Sequence, residues 1–325
     1  MTVHTLLVLV TGGELPPQLD RLTPGARIVR ADSDPARLSS QLSEADVLLV
    51  WDFDTDLIRA AWPDEGPVPA WVHTASAGVD RLIFPALVES KAVLTNARGI
   101  FEQPIAEYVA GLVLAMAKDF RGTWELQRQR RWRHRETLRV AGTKALVVGS
   151  GPIGRAVGCT LAALGIAVDL VGRTGRDDDP EFGRIHPSDA LSGLLPEADW
   201  VVCAAPLTEQ TRGMFGASAF ARMKSSARLI NVGRGPLVVG DELVDALLEH
   251  RIAGAALDVF EDEPLPEDHR MWDVPGLLVS PHMSADTIGW RDDLAEQFLD
   301  NYARWVDGRP LLNVVDKRLG YVPVA

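Results

Sequence analysis

Short apolar runs alternate with helix-patterned stretches twice over in this chain, and that alternation limits the architecture more than any single residue does. The first series occupies residues 6–10, 27–29, 47–51, 71–74 and 92–95; the second occupies 145–149, 167–171, 200–204, 229–232, 254–259 and 277–280. Continuous Val, Leu and Ile runs of this length suit parallel strands buried on both faces. Strand and helix alternating in two series predict an α/β protein of two doubly wound parallel-sheet units, and 325 residues are enough for two cores. Between the series, residues 102–118 predict a long helix linking the units. Pro104 suits its first turn, and Ile105, Val109, Leu112, Val113 and Met116 fall on one apolar stripe. A further helix at 293–305 is expected to return the chain to the first unit. The first domain is therefore predicted to be discontinuous, 1–96 plus 286–325, with 97–285 forming the second.

The formal net charge of −12 argues against nucleic acid or an anionic membrane as the main partner. A small anionic substrate is compatible with it, because local arginines reverse the field inside a cleft. Residues 121–139 are rich in Arg and carry Trp124 and Trp132; in so acidic a chain this reads as a solvated face or a subunit contact. Cys159 and Cys203 lie in apolar runs and read as small buried hydrophobes rather than a disulfide framework. The apolar N-terminal run lacks a basic leader and reads as a buried strand, and no window approaches ~18 apolar residues. A cytoplasmic protein is the expectation. No Cys/His spacing implicates a metal.

The run ending at Val148 leads into Gly149-Ser150-Gly151-Pro152-Ile153-Gly154, and a helix is expected over 153–164. Gly149 permits the tight turn, Gly151 a close approach of the pyrophosphate, and Gly154 close helix–strand packing. The helix N-terminus then turns unpaired N–H groups and a positive dipole end toward the phosphates. A bare glycine pattern is equally a tight strand–helix turn; the flanking strand and helix make dinucleotide binding the stronger reading. About 20 residues on, an acidic residue would bind the ribose 2′-hydroxyl of NAD. This chain has Gly172 there, followed by Arg173-Thr174-Gly175-Arg176, while Asp169 falls too early. Two guanidiniums and a hydroxyl (Arg173, Arg176 and Thr174) accept a 2′-phosphate, so NADP is the preferred coenzyme, with NAD possible. Residues 173–180 read as a polar loop.

Downstream, three predicted strands are followed by Asn231-Val232-Gly233-Arg234-Gly235, by the acidic stretch Glu261-Asp262-Glu263, and by Pro281-His282. Reduction of a 2-keto acid by hydride transfer needs those three kinds of group. A fixed cation holds the carboxylate and polarises the ketone, an imidazole protonates the forming alkoxide, and a carboxylate holds that imidazole protonated and oriented. Spacing alone does not choose among Glu261, Asp262 and Glu263.

These segments, with Thr95-Asn96-Ala97-Arg98-Gly99, Pro206-Leu207-Thr208 and Ala256-Leu257-Asp258-Val259-Phe260, resemble the D-isomer-specific 2-hydroxyacid dehydrogenases over most of the chain. Val315-Asp316-Lys317-Arg318-Leu319-Gly320-Tyr321 and the Gly172 position look most like the glyoxylate/hydroxypyruvate reductases. The resemblance implies a flavodoxin-like substrate domain and a Rossmann coenzyme domain with a cleft between them. It makes Arg234 the substrate-binding arginine, His282 the proton donor and Glu263 its partner. Coenzyme contacts are implied at Gly149, Gly151, Pro152, Ile153, Gly154, Arg173, Thr174, Arg176, Ala205, Pro206, Thr211, Val232, Gly233, Arg234, Asp258, His282 and Ser284. Asp258 is expected to orient the nicotinamide carboxamide. Substrate contacts are implied at Ala77 and Gly78, through backbone N–H groups, and at Trp51. A homodimer through the coenzyme domain is implied, with residues 105–116 and 124–132 as candidate contacts and Trp132 reaching the neighbouring subunit. The product is expected to be a D-2-hydroxy acid. Formate dehydrogenases pair their histidine with Gln, which Glu263 argues against. A phosphoglycerate dehydrogenase or another NAD-dependent D-2-hydroxyacid dehydrogenase is the enzymatic alternative. A dinucleotide-sensing, corepressor-like binding protein is the alternative of another class.

Overall fold

The computed structural model describes residues 3–10, 13–52 and 56–323. It divides into two compact units, Met1–Phe101 with Thr287–Ala325, and Glu102–Asp286.

The first unit is built on strands β1 (His4–Leu9), β2 (Ala26–Arg30), β3 (Val47–Val50), β4 (Trp71–Thr74) and β5 (Val93–Thr95). All pair in parallel, in the order β2-β1-β3-β4-β5. That is the flavodoxin-like order. Every residue of β3 is buried, as a central strand covered on both faces requires. Helix Pro35–Glu44 begins where the Asp34 carboxylate accepts from the Ala36 and Arg37 N–H groups, with Pro35 at the first turn. Trp51 follows β3 and is buried, its N–H donating to Leu9 O.

Chain return to this unit has a packing cause. Helix Trp290–Val306 carries Phe298, which stacks on Trp71 of β4 at 5.3 Å, with Tyr302 against both rings. Beneath this aromatic layer His73 is fully buried beside the Thr95 hydroxyl (2.8 Å), and burial pushes its pKa down to about 3.

The second unit contains β6 (Lys144–Val148), β7 (Ala167–Gly172), β8 (Arg176–Asp179), β9 (Gly183–Pro187), β10 (Trp200–Cys203), β11 (Arg228–Asn231), β12 (Gly254–Leu257) and β13 (Leu277–Val279). Their order is β13-β12-β11-β10-β6-β7-β9-β8, parallel except for the β8–β9 hairpin. Omitting that edge strand, the order on either side of β6 is that of a Rossmann sheet, and the switch point lies between β6 and β10. Helices Glu102–Ala117 and Pro152–Ala163 pack against each other. Ile105, Val109 and Val113 are buried on the first of them.

Two expectations fail here. Residues 173–180 are not simply a polar loop, because 176–179 form the edge strand β8. Asp179 is 5% exposed and accepts from the Arg155 guanidinium and from the N–H groups of Glu181 and Phe182. These contacts, Arg155 foremost, hold its carboxyl down at about pKa 2. A run of charges therefore hides a satisfied buried carboxylate, which hydropathy cannot register. Cys159 is exposed, on the opposite face of helix Pro152–Ala163 from Val157, Gly158 and Leu161. Cys203, in the middle of the sheet, is fully buried, and burial pushes its thiol up to about 12.

Candidate active site

The coenzyme-binding turn is set by backbone collisions. Gly149 has φ +125°, and a Cβ there would lie 2.5 Å from Ala204 O, beyond the end of β10. A Cβ on Gly154 would lie 1.7 Å from Gly149 O, so only glycine lets helix Pro152–Ala163 start against the turn. Gly151 precedes that helix, and a Cβ on it would meet nothing within 4 Å. Pro152 occupies the first helical position, where its missing N–H costs nothing. Pro152 and Ile153 are half-buried. Across the switch point Ala205 is buried and Pro206 exposed, and the Thr211 hydroxyl donates to Pro206 O and accepts from the Thr208 N–H, both at 2.8 Å. The residues present thus fit a dinucleotide: a glycine turn at the sheet's switch point, with helix N–H groups behind it and open space before it.

Gly172 ends β7, and a Cβ there would sit 2.3 Å from the Ser150 hydroxyl of the phosphate-binding turn. Arg173 and Thr174 follow it and are exposed. Arg176 opens β8, and its guanidinium lies 3.9 Å from the Asp179 carboxylate.

The reactive groups stand beyond the C-terminal ends of three neighbouring strands. After β11, the Asn231 side chain clamps the next turn, accepting from the Gly233 N–H (3.1 Å) and donating to Arg234 O (2.9 Å). The Arg234 guanidinium donates to Gly233 O at 2.8 Å, and Val232 is buried. A Cβ on Gly235 would lie 1.9 Å from Phe260 C, so the arginine turn rests directly on the backbone that follows β12. From that segment the Glu263 carboxylate accepts from the Phe260 N–H (2.8 Å) and meets His282 Nδ1 at 2.7 Å. The second contact leaves Nε2 as the ring nitrogen turned away from the carboxylate, the position a proton donor needs.

His282 itself has φ +53°, an uncommon conformation for a residue with a side chain. Asp258 holds it there. This fully buried carboxylate accepts from the N–H groups of Met283 (3.0 Å) and Ser284 (2.8 Å) and from the Ser280 hydroxyl (2.7 Å), and its backbone carbonyl accepts from the His282 N–H (2.8 Å). Neither the role of Ser280 nor the Arg155–Asp179 pair was read from the sequence; only the place of Ser280 just before Pro281-His282 pointed near it.

In the first unit, Ala77 and Gly78 lie in the loop after β4. That loop is fixed by the Asn96 amide donating to Ala77 O (2.6 Å) and the Ser76 hydroxyl donating to Gly78 O (2.7 Å). Both bonds use carbonyls and leave the amide N–H groups to face elsewhere. Among the described residues no cluster of His, Cys, Asp and Glu could hold a metal ion, and no helix is long and apolar enough to cross a membrane.

A Rossmann sheet with a hydrogen-bonded Glu–His pair and a clamped arginine at its carboxyl edge is the arrangement of a nicotinamide-dependent 2-hydroxyacid dehydrogenase. The chain belongs to that family: residues 110–284 match the model for the D-isomer specific 2-hydroxyacid dehydrogenase NAD binding domain. It is 31% identical, over 81% of its length and 82% of the relative's, to glyoxylate/hydroxypyruvate reductase B of Salmonella newport. Among solved structures it resembles a D-isomer specific 2-hydroxyacid dehydrogenase from Xanthobacter autotrophicus Py2, in complex with NADPH and MES (TM-score 0.79, 30% identity, 98% of this chain and 100% of that one). It also resembles an NADPH-dependent glyoxylate/hydroxypyruvate reductase from Sinorhizobium meliloti, in complex with NADP and sulfate (TM-score 0.81, 28% identity, again 98% and 100%). The protein is an NAD(P)-dependent oxidoreductase of this family.

Proposed function

We propose that the chain is an NADPH-preferring reductase of short 2-keto acids, glyoxylate or hydroxypyruvate among them, giving D-2-hydroxy acids. The observation that carries this reading is the Glu263–His282 pair beyond β12 and β13, beside the arginine turn beyond β11. When bound, the reduced nicotinamide supplies the hydride to the carbonyl carbon. Arg234 holds the substrate carboxylate and polarises the ketone. His282 gives its proton to the oxygen as the alkoxide forms, and Glu263 fixes the ring and offsets the imidazolium charge beforehand. Asp258 has three donors on four lone-pair positions, which leaves one for the nicotinamide carboxamide. The resemblance, rather than the geometry, brings Ala77, Gly78 and Trp51 into this reading as substrate contacts.

NADPH preference is supported by Gly172, where a ribose-binding carboxylate would stand, and by exposed Arg173 and Thr174 next to it. The names of the Salmonella and Sinorhizobium relatives support the substrate class. The reading extends to a cytoplasmic homodimer joined through the coenzyme-binding unit. Trp132 is wholly exposed and Trp124 more than half so, on an arginine-rich segment suited to such a contact.

The test is the initial rate of NADPH and NADH oxidation with glyoxylate and with hydroxypyruvate. The reading expects turnover with at least one acid and a higher kcat/KM for NADPH. Arg173→Ala is expected to raise the KM for NADPH about tenfold and to leave that for NADH nearly unchanged, as loss of a charge-assisted phosphate contact would. Equal effects on both coenzymes would remove the 2′-phosphate argument. Turnover with neither acid would remove the substrate assignment.

A further inference from the structure

We infer that Ser280 is a positioning residue for His282, acting through Asp258. The inference rests on the reading of His282 as the proton donor.

A left-handed backbone is uncommon at a histidine and persists only where its surroundings over-determine it. Here the surroundings converge on one buried carboxylate. Asp258 Oδ1 takes the Ser280 hydroxyl and the Met283 N–H, while Oδ2 takes the Ser284 N–H. The His282 N–H is shared between Asp258 O (2.8 Å) and Ser280 O (3.1 Å). Ser280 therefore holds the turn twice, once through its own carbonyl and once by fixing the carboxylate that grips the next two amides. Its hydroxyl has a single proton, which goes to Asp258, so its lone pairs are left to accept.

Without the Ser280 hydroxyl, Asp258 keeps only its amide donors and is freer to rotate, and the turn that aims His282 Nδ1 at Glu263 loosens.

The experiment is steady-state kinetics, with NADPH and glyoxylate or hydroxypyruvate, of wild type, Ser280→Ala, Ser280→Cys and Ser280→Thr. Thermal melting is measured alongside. Ser280→Ala is expected to lower kcat about tenfold, the effect of one hydrogen bond to a charged group, with both KM values within about twofold of wild type. Ser280→Thr, which keeps the hydroxyl, is expected to restore kcat. Ser280→Cys, whose thiol is only a weak donor, is expected to fall between Ser280→Ala and wild type. Wild-type kcat in Ser280→Ala, a loss confined to KM, or failure of Ser280→Thr to restore kcat overturns the role of Ser280. If Ser280→Ala does not fold, a wild-type kcat in Ser280→Cys overturns the role of Ser280. Absence of wild-type turnover overturns the proposed function, and this inference with it.

Discussion

The turn at residues 149–154 and the turns bearing Arg234, Glu263 and His282 are fixed in opposite ways. In the first, the backbone is its own template. Gly149 and Gly154 are forced by collisions with Ala204 O and with Gly149 O, and no side chain is needed to set the shape. In the second, three segments far apart in sequence hold one another. The Asn231 amide clamps the arginine turn, Gly235 seats it on Phe260, and Asp258 grips residues 280–284. A contiguous turn of the first kind fails through sterics. An assembled site of the second kind fails through the loss of any one partner, even when the reactive side chain remains.

Four measurements press on that difference. Arg234→Ala is expected to lower kcat/KM by about 10²- to 10³-fold, the scale of a lost charge-stabilising donor. Its melting temperature should stay close to wild type, because the half-buried guanidinium is not part of a core. Retention of near-wild-type rates would show that this turn carries no reactive group.

Gly154→Ala should act oppositely, costing up to about 3 kcal/mol of stability through overpacking against Gly149 O. Gly151→Ala, whose Cβ enters open space, should leave stability unchanged and raise the KM for NADPH. Equal melting losses for both would contradict the claim that backbone collisions shape this turn.

A pH series separates loss of fold from loss of site. His73 in the first unit has a folded pKa of about 3, below its unfolded value of 6.5. The unfolded chain therefore binds a proton between those values that the folded chain does not, and stability falls as pH falls through that window. From pH 7 to pH 5 the loss from this one group is about 2 kcal/mol. Denaturant unfolding should show that slope in wild type and a flatter one in His73→Leu; parallel slopes would exclude His73 as its source.

The smallest expected effect is that of Glu263→Gln, about tenfold in kcat. The amide still accepts from Phe260 N–H, while the charge beside His282 is lost. Unchanged kcat would mean that orientation, not charge, is what Glu263 supplies.

Much of the architecture was legible because its cause is local. Strands buried on both faces must be apolar along their length, so the central runs stand out even unaligned. The glycine turn is legible for the same reason: a strand, a forced left-handed glycine and a helix start are neighbours in sequence. Gly172 was read in that way too, as a position lacking a carboxylate. Strand β8 was not legible. Its Arg-Asp-Asp-Asp sequence is that of a solvated loop, and only the Arg155 guanidinium reaching Asp179 makes burial tolerable. Cys159 was misplaced because an apolar neighbourhood in sequence does not say which face of a helix a residue occupies.

The sequence by itself determined two parallel α/β sheets, a phosphate-binding turn and the three residue types the chemistry requires, because backbone sterics and strand burial act over a few residues. Spacing left the carboxylate of residues 261–263 open and the resemblance named Glu263; tertiary structure brings it to His282, and alone decided that His282 sits at φ +53° and that Asp258 and Ser280 stand behind it. Those choices depend on hydrogen bonds between strand ends up to 26 residues apart. Such pairings leave no local pattern, because each partner satisfies the other only once the sheet has brought them together.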